Sequence, residues 1–187
     1  TWQALNADTK PVVASYTLTA EDVAGPFVQI PKQIAKQAGL DALGYTSLVE
    51  ALGERFHVGP QTLQQLNPGL DFATAKAGTV VKVTNVLGAA PLAKAARVVV
   101  DKSDSTLRLL DDQGNVYAQF PVTSGSAHDP LPIGQWKILG ISRNPTYHYN
   151  PKLFWDAKKG DKKATIAAGP NNPVGLVWID LSKDHYG

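Results

Sequence analysis

From Arg97 onward the apolar residues recur at period two, and Gly, Pro or Asp interrupts them every few positions. That alternation restricts what the chain can fold into. Arg97–Asp101, Thr106–Leu110 and Val116–Val122 read as strands, and Asp111–Asn115 as the hairpin turn between the last two, with Gly114 free to take positive φ. Gln135–Ile141, Ala164–Ala167 and Leu176–Leu181 read as a fourth, fifth and sixth strand. Many short strands without a long helix predict a mainly β domain over residues 96–187, built as a sandwich or barrel. With 43% hydrophobic and 18% charged residues in 187, the chain has the apolar content to bury a core.

The residues before this region have a different rhythm. Residues 1–43 read as a partly irregular segment. In it Tyr16–Thr19 alternates like a short strand, and Thr19 caps a turn entered by Glu21 and Asp22. A helix is expected from about Pro31 to Ala38, closed by Gly39. Over residues 44–86, Thr46 or Ser47 caps a helix with Leu48, Ala51, Leu52 and Phe56 on one face. Pro60 opens a second helix, with Leu63 and Leu66 inward, that stops at Asn67-Pro68-Gly69. A strand follows at Thr79–Val83. Two short helices, an Asn-Pro turn and a Val-rich strand resemble a LysM-type module, a small α+β fold that binds N-acetylglucosamine-containing glycans. The first strand usual to that module is not evident, and Leu43–Thr46 stands in its place. The resemblance implies glycan contacts, assigned to Thr46 and Asn67; the alternative is a spacer that keeps the fold without the groove. Residues 87–95 have linker composition and mark the boundary between the two domains.

Composition excludes several functions. Eighteen Lys+Arg against 16 Asp+Glu leave a net charge of +2, too balanced for a nucleic-acid binder. The lysines at 158, 159, 162 and 163 read as a solvated loop. No apolar stretch is long enough to span a membrane, and no signal segment opens the chain. A start at Thr1 without Met is expected of a processed or trimmed form. There is no cysteine, which excludes disulfides, thiolate metal sites and thiol nucleophiles within these residues. Ser126, His128 and Asp129 sit too close along one loop to present three side chains in a hydrogen-bonded series. His57, His128, His148 and His185 lack ligand spacing, so no metal is expected. No phosphate-binding loop is present either, so no cofactor is expected. The run Gly169-Pro170-Asn171-Asn172-Pro173-Val174-Gly175 reads as a proline-stiffened turn with no chemistry of its own.

Three segments in order give this β region a family likeness. They are the hairpin Val98–Leu110, then Val122-Thr123-Ser124-Gly125 with Asp129–Trp136, then Gly169–Gly175. Together they resemble the catalytic domain of the L,D-transpeptidases (YkuD-like), with Leu131 where Thr is commoner. The resemblance implies a peptidoglycan enzyme. A cysteine thiolate attacks the carbonyl between the third and fourth residues of a stem peptide, and the terminal D-alanine leaves. An amine of a neighbouring stem then takes the acyl group from the thioester. In the family a His-Gly segment and a Cys segment follow, and Tyr186-Gly187 falls where the first begins. No catalytic residue is therefore assigned. The expectation is that further residues carry the active site and that these 187 alone are inactive. Stem-peptide contacts are expected at Asn144, Tyr147 and Tyr149, in a loop that covers the donor site. The implied partner is peptidoglycan, through its stem peptide and glycan, and the implied location is outside the cytoplasm, periplasmic or wall-associated. The alternative is a non-catalytic peptidoglycan-binding protein.

Overall fold

The structure, a computed structural model, describes residue 7, residues 9–88 and residues 91–187. Residues 1–6 and 8 of the expected irregular segment, and 89 and 90 of the expected linker, lie outside the described residues. Contacts gather into two units, the residues up to Leu87 with Ile138–Gly187 in one and Gly88–Lys137 in the other. This grouping differs from the division expected at residues 87–95, because the strands after Lys137 gather with the helical region.

In the first unit, β1 (Val13–Thr17) pairs antiparallel with β2 (Val80–Thr84), with Ser15 opposite Lys82. Between them in sequence come α1 (Ala20–Ala24), α2 (Ile34–Gln37), α3 (Leu48–Arg55) and α4 (Pro60–Leu66). A strand, β1, lies upstream of Leu43–Thr46. An excursion carrying α1 and α2 separates it from α3.

Local chemistry explains each helix start. The Thr19 hydroxyl accepts from the Asp22 N–H at 3.2 Å, and the Asp22 carboxylate accepts from the Thr19 N–H at 2.8 Å, a reciprocal capping box. Ser47 caps α3 by accepting from the Glu50 N–H, and Pro60 starts α4, where its missing N–H costs nothing. The helix α2 is only four residues long, and Ala38, in helical geometry, rather than Gly39, closes it. Leu18, Leu52, Phe56, Leu63, Val81 and Val83 pack into one core, each at most 2% exposed. Burying one such side chain contributes about 1.5–3 kcal/mol.

Two more sheets complete this unit. β6 (Ile138–Arg143) pairs with β9 (Val177–Leu181), and β7 (Tyr147–Tyr149) pairs with β8 (Ala164–Ile166), all antiparallel. β6 begins later than expected, after Gln135–Lys137, and β7 replaces what read as loop. Leu139 and Ile141 of β6 and Val177 and Ile179 of β9 are exposed.

In the second unit, β3 (Arg97–Asp101), β4 (Thr106–Leu110) and β5 (Val116–Pro121) form one antiparallel sheet in that order. The Asp111 carboxylate accepts from the N–H groups of Gln113 and Asn115, and Gly114 takes φ 86°. The hairpin forms where the alternation placed it. The chain is mainly β, as expected, in four antiparallel sheets of two or three strands among the described residues.

Candidate substrate cleft

The alternation Tyr147-His148-Tyr149 decides the side chains of β7. Residues two apart share a face, so both tyrosines turn inward and His148 turns out, where its Nδ1 lies 3.3 Å from Thr165 Oγ1. A 3₁₀ turn at Pro151–Leu153, capped by Asn150, returns the chain so that the Phe154 ring sits 5.4 Å from that of Tyr149. The Tyr149 hydroxyl donates to Asp161 Oδ2 at 3.3 Å, and the same oxygen accepts from the Lys158 N–H at 2.9 Å. Tyr147, Tyr149 and Phe154 with Trp178 of β9 line a cleft of about 840 Å³, a size suited to a peptide-like ligand.

Burial, then the neighbouring Asp161 charge, pushes the Tyr149 phenol up from its ordinary value. Burial, then Tyr149, does the same to Tyr147. Both phenols stay neutral at physiological pH; the Tyr149 proton is committed to Asp161, so Tyr147 is the phenol that can donate to a ligand on this apolar wall.

Asn144 is placed differently from the two tyrosines. It takes φ 48°, which asparagine tolerates, and its N–H donates to Leu176 O at 2.8 Å. It holds the turn from β6 to β7 and does not line the cleft. In the helical region the Thr46 hydroxyl is exposed and donates to Glu50 Oε2 at 2.6 Å. Asn67, expected as a glycan contact, ends α4. It is 8% exposed, its Nδ2 donates to Leu63 O and Lys82 O, and its Oδ1 accepts from the Lys82 N–H. These bonds tie its amide to the fold. The Ser126 hydroxyl accepts from the N–H groups of His128 and Asp129, which makes this segment a turn. No group of three or more His, Asp or Glu residues suits a metal among the described residues.

The Gly169–Gly175 turn carries more than the sequence suggested. Pro170 and Pro173 remove two backbone donors, and asparagine amides supply others. Buried Asn172 donates to Ala167 O at 2.7 Å and accepts from the Val174 N–H. Asn171 reaches into the helical region: its N–H donates to Leu43 O, and its Nδ2 to Gly44 O and to Glu50 Oε1 at 2.9 Å. The Leu43 N–H donates back to Ala168 O. Hydrogen bonds to Thr46 and Asn171 outweigh burial and lower the Glu50 carboxyl pKa. Two adjacent asparagines between two prolines were the available signal for this junction. Pro173 and Val174 then continue into the cleft wall.

The family model for the L,D-transpeptidase catalytic domain, YkuD, matches residues 95–187. A Bacillus licheniformis protein named as an L,D-transpeptidase, YkuD, is 25% identical over 139 residues, covering 74% of this chain and 67% of that protein. An Escherichia coli K12 protein named as an L,D-transpeptidase, YbiS, is 25% identical over 144 residues, 75% of this chain. The match spans only 46% of the E. coli protein's own length. Through residues 95–187, the chain matches the YkuD family of L,D-transpeptidase catalytic domains.

Proposed function

We propose that this chain binds the stem peptide of peptidoglycan in the Tyr147–Tyr149 cleft, as the substrate-binding part of an enzyme that cross-links stems by acyl transfer. The observation that carries this is the aromatic wall of Tyr147, Tyr149, Phe154 and Trp178, built by β7, β9 and the 3₁₀ turn inside the family-matched segment. The neutral Tyr147 phenol suits a peptide carbonyl, and the rings suit the apolar faces beside it. The acyl-transfer step needs a thiolate, and none of the 187 residues is a cysteine. These residues then bind and orient, and by themselves release no D-alanine. Such an enzyme works outside the cytoplasm, where peptidoglycan is; among the described residues no helix is long and apolar enough to cross a membrane.

Titration with a stem tetrapeptide ending in D-alanine, followed by tryptophan fluorescence, tests the reading. Saturable binding is expected. Tyr147→Ala should weaken it roughly tenfold, the loss typical of an aromatic anchor, and Tyr149→Phe should weaken it less. Absence of binding, or binding indifferent to both substitutions, overturns the proposal, as does D-alanine release by these residues.

The missing thiol favours a second reading, a peptidoglycan-binding protein without catalysis. The intact mass of the protein isolated from cells separates the two. A mass near 20.0 kDa supports the binding protein, and a mass several kDa larger supports the enzyme.

A further inference from the structure

We infer that α2, and Lys32 beside it, gives the aromatic cleft a preference for ligands that carry carboxylates; the inference rests on the peptide-binding reading above. Lys32, Ile34 and Ala35 line the same cleft as Tyr147 and Tyr149. They lie outside the family-matched residues 95–187, so part of the wall comes from the N-terminal excursion between α1 and α3. The excursion is fastened at several points. Gln37 Nε2 donates to Pro31 O at 2.8 Å, the Val28 N–H donates to Tyr45 O at 2.9 Å, and α2 packs against β8. Leu43, just beyond it, exchanges backbone hydrogen bonds with Ala168 and Asn171.

The charges around the cleft are uneven in availability. Lys32, Lys158 and Lys162 line it, against Asp156 and Asp161. Asp161 is already engaged by the Tyr149 hydroxyl and the Lys158 N–H. Among the described residues none of the three lysines forms an ion pair. Each therefore brings an ammonium without an ion-pair partner to a cleft that aromatic rings also line, which suits a carboxylate-bearing peptide better than a neutral one. Of the three, only Lys32 sits outside the family-matched segment, so it is the position where charge preference can differ from that of a YkuD domain alone.

Two forms of one stem tetrapeptide test this, one with free carboxylates and one with the same groups converted to carboxamides. Both are titrated at low ionic strength against the wild type, Lys32→Glu and Lys32→Arg. The wild type should bind the acid form more tightly. Lys32→Glu should weaken the acid form roughly fivefold, the scale of an exposed charge contact, and leave the carboxamide form unchanged. Lys32→Arg should retain the wild-type preference. Equal weakening of both peptides would mean the wall acts by shape alone, and no effect on either would mean Lys32 is a bystander; each overturns the inference while leaving the cleft as a peptide site. If the wild type binds neither peptide, the peptide reading fails and this inference with it.

Discussion

Gly169→Ala should destabilise the chain by about 3 kcal/mol or more, the scale of strained backbone combined with overpacking. Gly169 takes φ 148°, and a Cβ added there would lie 2.2 Å from the Leu43 carbonyl oxygen and 2.5 Å from its carbon. Those are backbone atoms, so no rotamer change relieves the contact. Either the turn or the Leu43 strap has to move, and movement breaks the two backbone hydrogen bonds that Leu43 makes to Ala168 and Asn171. Thermal melting should show a fall in Tm of roughly 10 °C for a chain of this size. Gly175→Ala is the control. Gly175 also has positive φ, 68°, but nothing lies within 4 Å of its added Cβ, so only the backbone term remains, about 1–2 kcal/mol. Equal losses in the two variants would refute the close approach as the cause.

Asp22→Asn should cost about 2–3 kcal/mol near neutral pH, since it removes one partner from a buried, charge-assisted network. The Asp22 side chain is 2% exposed and lies 2.6 Å from Arg55 Nη1. It also accepts from the Tyr16 hydroxyl at 2.7 Å and from the Thr19 N–H. Burial pushes its carboxyl pKa up, but the bonds from Thr19, Tyr16 and Arg55 outweigh burial and hold it at about 2. The folded value is below the unfolded one, so the unfolded chain binds the proton more readily. The stabilisation is therefore complete above about pH 4 and is lost as pH falls from there through about 2. It amounts to about 2 kcal/mol, a shift of nearly two units at 1.36 kcal/mol each. Urea unfolding at pH 7, 4 and 2.5 should show the wild type converging on Asp22→Asn. A gap between them that stays constant to pH 2.5 would refute the assignment.

Local signals in the sequence were strong where one chemical group settles the matter. The Thr19 box, the Ser47 cap, Pro60 and the Asp111–Gly114 turn each satisfy backbone groups within a few residues, so each could be read without tertiary information. β7 was missed because three residues between prolines are too short for alternation to stand out from a loop; its pairing with β8 is what makes it a strand. β1 was underweighted because its partner β2 lies far along the chain, with an excursion between. The cleft was half legible. Tyr147 and Tyr149 stood out as aromatics in one segment, whereas α2 and Trp178 join them only through long-range packing. The role of Asn171 depends on Leu43, Gly44 and Glu50, and no local pattern encodes that meeting.

Asn67 has a consequence for solubility. β2 pairs with β1 along one side only, and the other side of such a strand invites a strand from a second molecule. At Lys82 both backbone groups on that open side are already taken, the N–H by Asn67 Oδ1 at 2.7 Å and the C=O by Asn67 Nδ2 at 2.8 Å. A single side-chain amide imitates one residue of a neighbouring strand and occupies the position where intermolecular pairing would register. The residue that resemblance cast as a sugar contact thus fills the free side of β2 at Lys82.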